Sequence, residues 1–104
     1  MYGTIARLRP NRGQETALDE IGQRWLRERA PTVPGFVAQY VLKSEQHPGE
    51  VLTLTVFDSK AAYRQNADDP DQHRWFEQFR ALLAAAPEWN DGEVLAFTPA
   101  TVPL

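Results

Sequence analysis

The chain has 104 residues, of which 42% are hydrophobic, and this length predicts one domain over residues 1–104 with no room for a second. The 14 acidic and 11 basic residues give a net charge of -3, and no stretch concentrates Lys or Arg, which disfavours nucleic-acid binding. Cysteine is absent, which excludes disulfides and thiolate chemistry. No apolar run approaches the about 20 residues of a membrane span, so we expect a cytoplasmic protein.

The N-terminal third of the sequence predicts a strand followed by a helix. Residues 2–9 are partly β-branched and are closed by Pro10, which cannot continue a hydrogen-bonded ladder. Asn11 then offers a cap for a helix over about residues 12–30, and Gln14, three positions later, completes a capping box. The buried face of this helix is predicted from apolar residues at helical spacing: Leu18, Ile21, Trp25 and Leu26.

The middle of the chain predicts a β-hairpin. Pro34 and Gly35 end the preceding segment, and residues 36–43 resume an extended pattern. Residues 51–58 are rich in β-branched and aromatic side chains, which favours a strand. Because the connection between the two runs is short, we expect them to pair directly.

A short helix is predicted to follow this hairpin. It covers about residues 60–67, and either Asp58 or Ser59 precedes it as a cap. The helical pattern then breaks at Asp68 and Asp69. The sequence therefore predicts two separate helices in this region.

The second of these helices has the clearest signals in the chain. Asp69 can accept hydrogen bonds from the first-turn amides, Pro70 suits the first helical position, and Pro87 is predicted to end the helix. Its inner stripe follows a 3.6-residue period: Trp75, Phe76, Phe79, Leu82, Leu83 and Ala86.

A last strand is expected over residues 93–98, before a Pro-rich tail that is predicted to be irregular. The order of elements is then β-α-β-β-α-β. This order is typical of the ferredoxin-like α+β fold, in which both helices cover one face of an antiparallel sheet.

Both faces of the predicted sheet carry apolar side chains. In the second strand, strict alternation separates Phe36, Ala38, Tyr40 and Leu42 from Val37, Gln39, Val41 and Lys43. Two helices can cover only one face, and the uncovered apolar patch would exceed the few hundred Å² that monomers usually expose. The sequence therefore predicts a homodimer in which two sheets pack face to face.

Three stretches carry a resemblance to a known family. They are PGFVAQYVL, VLTLTVFDSKAAYRQNADDP and the helix that contains Trp75. Together they resemble the antibiotic biosynthesis monooxygenase family of the dimeric α+β barrel superfamily over nearly the whole chain. The resemblance implies a homodimeric barrel with a small-molecule pocket between helices and sheet in each subunit. It also implies an activity, because the best-known members oxidise aromatic polyketides with oxygen and neither metal nor flavin.

The functional residues of the family transfer only in part. The cofactor-free oxygenases carry an Asn and a Trp on the third strand, and the resemblance aligns these positions with Thr53 and Phe57. Tyr63 matches a pocket tyrosine at the start of the second helical region. An arginine that is useful to the family is replaced, with Phe76 or a neighbour at its position.

Relatives that degrade haem use an Asn, a Trp and an axial His. The aligned positions here hold Ala6, Asn66 and Phe76, and His73 lies one helical turn short of the axial position. Haem binding therefore remains a second alternative.

Three residues are candidates for chemistry. We expect Tyr63 to orient a phenolic substrate by hydrogen bonding, unless it is an amphipathic core residue. If His73 faces inward it is the candidate base, and otherwise it is an exposed polar residue. Asn66 either lines the pocket mouth or caps a helix end. The remaining predicted pocket residues are Tyr40, Trp75, Phe76, Trp25, Thr53 and Phe57.

Taken together, the residues and the resemblance predict an oxygenase or a related small-molecule enzyme. The resemblance implies, more narrowly, a cofactor-independent monooxygenase for an aromatic or phenolic small molecule, with no bound cofactor. The two histidines lie far apart and lack ligand spacing, so no metal site is expected. The loss of the aligned Asn and Trp favours an alternative, which is a non-catalytic module that binds a small molecule or only dimerises.

Overall fold

The computed structural model describes residues 1–100, so the last part of the predicted irregular tail lies outside the described residues. Its elements, in chain order, are β1 (Tyr2–Leu8), α1 (Glu15–Glu28), a short 3₁₀ helix (Ala30–Thr32), β2 (Phe36–Lys43), β3 (Val51–Phe57), α2 (Lys60–Asp68), α3 (Pro70–Ala81) and β4 (Glu88–Glu93). The four strands form one antiparallel sheet in the order β2-β3-β1-β4. The predicted ferredoxin-like α+β class is therefore confirmed. Within residues 1–100, no helix is both long and apolar enough to cross a membrane.

α1 is shorter than predicted at both ends, and at its start the reason is Asn11. Gln14 occupies the capping position, and its side chain makes no capping hydrogen bond. The Asn11 backbone N–H instead donates to the Leu82 carbonyl (2.8 Å), and its Nδ2 donates to the Ala81 carbonyl (3.5 Å). Asn11 thus satisfies carbonyl groups at the C-terminal end of α3, which lack partners within that helix.

The starts of α2 and α3 have the caps that the sequence indicated. Of the two candidates before α2, Ser59 is the cap, because its side-chain oxygen accepts from the Ala62 N–H over 3.1 Å. At α3, Asp69 Oδ1 accepts from the Asp71 N–H over 2.8 Å, and Pro70 takes the first helical position.

α3 ends at Ala81, well before the predicted stop at Pro87. Past the helix, the Ala84 N–H donates to the Arg9 carbonyl over 2.7 Å. Pro10 and Leu83 also form an isolated β-bridge. These contacts with the chain just after β1 replace further helical hydrogen bonds, and Leu83 is buried beside them. Leu82 and Leu83 continue the helical spacing of apolar residues, and for this reason the sequence predicted a helix that extends beyond Ala81.

The last strand was predicted over residues 93–98, and this prediction was wrong. β4 is the polar segment EWNDGE, and it pairs with the free edge of β1, Tyr2 opposite Glu93 and Arg7 opposite Glu88. Asn, Asp and Gly are poor strand formers, but the unpaired backbone groups of β1 need partners. Tertiary pairing here overrides local propensity.

The apolar residues that suggested a strand follow β4 instead. The Val94 N–H makes a backbone bond to the Met1 carbonyl over 2.9 Å. Beyond it, Leu95 is 95% exposed and Phe97 is 60% exposed.

β2 departs from strict alternation at its start. Phe36 pairs with Phe57 and Ala38 pairs with Val56, so Val37 is an extra residue in a β-bulge. The bulge moves Phe36 to the helix-facing side of the sheet, which we call the inner face. On that face β2 presents Phe36, Gln39, Val41 and Lys43, and on the opposite outer face Ala38, Tyr40 and Leu42.

The core consists of two clusters between the helices and the inner face. One contains Ala6, Leu8, Leu18, Ile21, Phe79 and Leu83, and the other contains Trp25, Val33, Phe57 and Ala62. Trp75 packs against both clusters. The outer face has no helix over it, and its exposed side chains include Ile5, Tyr40, Leu42 and Leu54.

The stretches that carry the family resemblance meet at Gly35. Its carbonyl accepts from the Asp58 N–H over 2.7 Å, and its φ of 79° suits only glycine well. A Cβ added to Gly35 would lie 2.5 Å from the Cβ of Ala62 and 2.5 Å from Asp58 Oδ1. The turn before β2 and the start of α2 therefore form one tight joint.

Candidate functional site

A cavity of about 1190 Å³ lies between the helices and the inner face of the sheet. It is somewhat larger than the roughly 300–1,000 Å³ of typical ligand pockets. The sheet contributes Thr4, Gln39, Thr53, Thr55, Phe57 and Asp91 to its wall. The helices contribute Trp25, Tyr63, Asn66, Gln72, Trp75 and Phe76, among others. The cavity thus combines aromatic walls with a polar floor.

The polar floor is a single row that crosses all four strands, which we call the transverse row. Thr4 on β1 pairs with Asp91 on β4 and with Thr55 on β3, which in turn pairs with Gln39 on β2. Gln39 Nε2 donates to Thr55 Oγ1 over 3.0 Å. Paired residues on adjacent strands share a face, so these four side chains project side by side towards the helices.

Thr4 is the unusual member of this row. The residue is 4% exposed, and Oγ1 has no hydrogen-bond partner among residues 1–100. Buried hydroxyl groups are nearly always hydrogen-bonded, because an unpaired one loses its contacts with water without replacement. The Thr4 hydroxyl is therefore a buried polar group with almost no surface open to the cavity.

Tyr63 covers one end of the transverse row. Its hydroxyl donates to Asp91 Oδ1 over 3.2 Å. The pKa of Tyr63 is raised to about 12, chiefly by burial and also by the nearby Asp91 carboxylate, while the Thr4 hydroxyl acts in the opposite direction. Tyr63 is therefore protonated at neutral pH, which makes it a hydrogen-bonding group and not a base.

Aromatic rings surround this polar end. The Tyr63 ring packs edge-on against Phe57, with centroids 5.6 Å apart, and at a tilt against Tyr2, with centroids 5.3 Å apart. Phe57 is 2% exposed and also contacts Phe36. On the helix side, Trp75 of α3 lines the cavity. Flat apolar walls beside a polar floor suit a planar ligand that carries oxygen atoms.

A polar network ties the three helices together at the other side of the cavity. Gln72 Oε1 accepts from Trp25 Nε1 at 2.9 Å and from Arg29 Nε at 3.2 Å. Arg29 also donates to Asn66 Oδ1 over 3.2 Å and lies 3.7 Å from Asp69. Asn66 lines the cavity, and its Oδ1 is occupied by the hydrogen bond from Arg29. The Nδ2 group of Asn66 can therefore serve as a donor.

The structure brings most of the predicted pocket residues together. Those that line the cavity are Tyr63, Asn66, Thr53, Phe57, Trp25, Trp75 and Phe76, with the exposed His73 at its rim. The prediction for Tyr40 was wrong, because it lies on the outer face, 61% exposed. Tyr40 follows the bulge in β2, and the strand's pleat aims it away from the helices.

Several cavity residues were missed by sequence reasoning. Asp91 and Trp89 lie on β4, which was predicted elsewhere, so nothing indicated that they face the cavity. Thr4 and Thr55 could have been found, because alternation places them on the same side as buried Ala6 and Phe57.

Comparison with known proteins agrees with this architecture. No curated protein sequence matches the chain. SnoaB, a cofactor-independent oxygenase from Streptomyces nogalater, is similar in a mutant form with a TM-score of 0.81 and 17% identity, covering 95% of this chain and 97% of SnoaB. A protein of unknown function from Nitrosomonas europaea matches with a TM-score of 0.78 and 22% identity, over 96% of this chain and 94% of that one.

A candidate antibiotic biosynthesis monooxygenase from Chloroflexus aurantiacus is also similar. Its identity is 26% and its TM-score 0.74, over 94% of this chain and 96% of that chain. The family model for antibiotic biosynthesis monooxygenases matches residues 1–86, which include β1 to β3 and all the helices. The chain therefore belongs to the antibiotic biosynthesis monooxygenase family.

Proposed function

We propose that the protein binds a planar phenolic molecule in its cavity and oxygenates it without a bound cofactor. The observation that carries this proposal is the Tyr63–Asp91 pair, set among aromatic rings on the cavity wall. Family membership supports an oxygenase, and SnoaB, which has the same fold, is itself described as a cofactor-independent oxygenase. Without a cofactor, the substrate must supply the electrons that reduce oxygen.

The reaction begins with loss of a proton from the substrate, which leaves an electron-rich phenolate or carbanion. This anion transfers its electrons to O₂, and a C–O bond forms at the ring carbon. When that carbon begins as a CH₂ group, the peroxide then loses water, so CH₂ and O₂ become C=O and H₂O. The aromatic walls would keep bulk water from the reactive intermediate.

The residues of the cavity take distinct roles in this scheme. Tyr63 stays protonated and orients the substrate through a hydrogen bond. The acceptors that we assign to the substrate proton are Asp91, held against Tyr63, and His73, at the cavity rim. Asn66, oriented by Arg29, offers its Nδ2 group to the developing oxyanion.

Oxygen consumption with a panel of dihydroxyanthrones tests the proposal. We expect turnover by the wild type, and a fall of about 100-fold in kcat/KM for Tyr63→Phe, which is typical of losing a positioned hydrogen-bonding group. Asp91→Asn and His73→Gln identify the proton acceptor, because only loss of that group removes the pH dependence of kcat. Gln65→Ala, at an exposed position of α2, is the matched control.

A second function, ligand binding without catalysis, is favoured by Phe57. This residue holds the position that the resemblance aligns with the oxygenase Trp, and its buried ring has no hydrogen-bond donor. Saturable binding of the anthrones with no oxygen uptake would support this function and would contradict the first. For the haem alternative, Phe76 at the aligned axial position offers no ligand atom, so we expect no saturable Soret shift on titration.

We also propose that two copies pair through the outer face. Ile5, Tyr40, Leu42 and Leu54 are 50%, 61%, 61% and 36% exposed there, and the four residues share one face of neighbouring strands. In a two-fold dimer the same patch of each subunit packs against its copy, so an apolar outer face can be covered by the outer face of a second copy.

A further inference from the structure

The polar network behind the cavity fixes the orientation of two side-chain amides. Asn66 on α2 and Gln72 on α3 both line the cavity, and we call them the amide pair. Asn66 Oδ1 accepts from Arg29 Nη2 over 3.2 Å, and Gln72 Oε1 accepts from Arg29 Nε over 3.2 Å. The Trp25 indole N–H also donates to Gln72 Oε1 over 2.9 Å. Because a guanidinium and an indole N–H can only donate, neither amide can be turned round without losing these bonds.

One guanidinium group holds both amides side by side. Nε and Nη2 lie on the same edge of the planar group, which is the edge that commonly binds both oxygens of a carboxylate. In this protein that edge binds the carbonyl oxygens of Asn66 and Gln72 instead. Two oxygens on one edge of one guanidinium are neighbours, and the NH₂ groups attached beside them are therefore neighbours as well.

Both NH₂ groups remain available to a ligand. Neither Asn66 Nδ2 nor Gln72 Nε2 donates to another group among residues 1–100. Among the buried and half-buried residues of that range, only Thr4 Oγ1 is a side-chain polar atom that is both partnerless and sealed from solvent. The two amide nitrogens belong to half-buried residues, so they keep surface that a ligand can reach.

The amide pair selects a particular kind of ligand group. It offers four N–H hydrogens, while its oxygens are turned towards Arg29 and Trp25. A carboxylate fits this arrangement, because it only accepts hydrogen bonds and both of its oxygens can do so. A carboxamide of the same shape would direct its own NH₂ group at one of the donors, and a hydroxyl would need an acceptor for its hydrogen.

The charge of Arg29 adds to this selection. Its side chain is 18% exposed and contacts the amide pair from behind, so its positive charge attracts an anion in the cavity. The Asp69 carboxylate, 3.7 Å from Arg29 Nη2, offsets part of this charge, but it is 42% exposed and its Oδ1 accepts from the Asp71 N–H. Hydrogen bonds to a charged acceptor are also shorter and stronger than those to a neutral one.

We propose that Asn66 and Gln72, oriented by Arg29, form a binding site for a carboxylate group on an aromatic ligand. The inference rests on the cavity of the proposed function, but it adds a second substituent that the protein recognises and that takes no part in the oxygenation. Asn66 Nδ2 carries two hydrogens, so one can bind the carboxylate while the other serves the oxyanion of the reacting ring. Arg29 is a positioning residue, since it acts through the two amides.

The test is isothermal titration calorimetry at neutral pH with 2-naphthoate and with 2-naphthamide, which has the same shape and no charge. Neither compound has a phenol, so their binding does not depend on the proposed oxygenation. We expect naphthoate to bind at least about 10-fold more tightly than naphthamide, because hydrogen bonds to a charged acceptor are stronger. Equal affinities, a preference for naphthamide, or no saturable binding of naphthoate would overturn the proposal.

Gln72→Glu tests the amide pair itself. Glutamate keeps an oxygen for Trp25 and Arg29 but replaces the NH₂ group with a negatively charged oxygen, so it preserves the network and repels a carboxylate. The preference for naphthoate should fall at least about 10-fold. An unchanged preference in this variant would contradict the site.

Gln78→Glu is the matched control. Gln78 is also on α3 and also accepts from an arginine, Arg24, but it is exposed and does not line the cavity. Because solvent and salt screen an exposed charge, the preference for naphthoate should stay within about 2-fold of the wild-type value. Equal losses in Gln72→Glu and Gln78→Glu would reflect a general effect of charge and would refute the site.

Arg29→Lys tests the orienting role. Lysine keeps the positive charge but lacks the planar fork that holds two carbonyl oxygens at once. The preference for naphthoate should fall about 5-fold while the affinity for naphthamide does not change. A lower thermal unfolding midpoint with an unchanged ratio of affinities would mean that Arg29 is purely structural and would refute its role.

These results stand apart from the oxygen-uptake assay. Turnover of the anthrones without a preference for naphthoate would remove this inference alone. A preference for naphthoate without turnover would remove the proposed reaction alone.

Discussion

The hydroxyl of Tyr63 on α2 lies 3.2 Å from Asp91 Oδ1 on β4 and joins the helix layer to the edge strand of the sheet. The contact closes one end of the cavity and adds to the burial that raises the pKa of the phenol. Because the phenol is protonated at neutral pH, Tyr63 can orient a ligand by hydrogen bonding but cannot accept its proton.

Tyr63 should lose its proton unusually late in a titration. Its pKa in the folded protein is about 12, against an ordinary value of 10.0, chiefly because burial disfavours the phenolate. The stability that the protonated phenol contributes is therefore complete below pH 10.0 and is lost as the pH rises towards 12. An ultraviolet titration of phenolate absorbance should contain a late step that disappears in Tyr63→Phe.

Asp91→Asn should lower the pKa of Tyr63 without returning it to the ordinary value. The substitution removes a negative charge and a charged acceptor, but burial, the larger cause, remains. The same absorbance titration measures the change. An unaltered late step in this variant would mean that the two side chains are not in contact in solution.

Gly35→Ala should destabilise the protein more than Gly13→Ala. Both glycines have positive φ, 79° and 83°, so each alanine incurs a backbone cost of about 1 kcal/mol. Only at Gly35 would the new Cβ also meet atoms 2.5 Å away, on Asp58 and Ala62. Overpacking raises the expected loss to about 3 kcal/mol. Urea unfolding of both variants provides the comparison, and equal losses would argue against a tight joint at Gly35.

Asp69→Ala should cost about 1 kcal/mol of unfolding free energy, because it removes the cap of α3. The neighbouring Asp68→Ala is the control, since Asp68 is exposed and makes no capping bond, and its effect should stay within about 0.5 kcal/mol. Denaturant midpoints with unchanged slopes give both values. A larger loss at Asp68 would place the helix start elsewhere.

Leu54→Lys should dissociate the proposed homodimer. Leu54 lies in the middle of the outer face, so a lysine there would put like charges together at the interface and weaken association at least about 100-fold. Light scattering at micromolar concentration measures the assembly. Gln65→Lys, which adds the same charge on an exposed site of α2, should remain dimeric. A monomeric wild type would refute the assembly.

The candidate site was predictable only where its residues belong to correctly predicted elements. The resemblance indicated Tyr63, and a position near the predicted helix break indicated Asn66. Both lie on α2, whose start at a local cap was predicted, and both line the cavity. Tyr40 was misplaced, since the bulge at Val37 depends on pairing with β3 and has no signal in β2 alone. Asp91 was missed, because the strand that carries it is made of poor strand formers.

The sequence by itself determined what depends on neighbours a few residues apart: the capped starts of α2 and α3, the β2–β3 hairpin and the apolar stripes that face the core. Tertiary structure alone decided which segment fills the free edge of β1, and therefore that Asp91 lies beside Tyr63 and Thr4. The physical reason is that unpaired backbone groups of an edge strand accept any extended chain within reach. The segment that pairs with β1 is set by the path of the chain after α3. Backbone hydrogen bonds from Asn11 and to Arg9 direct that path back towards β1.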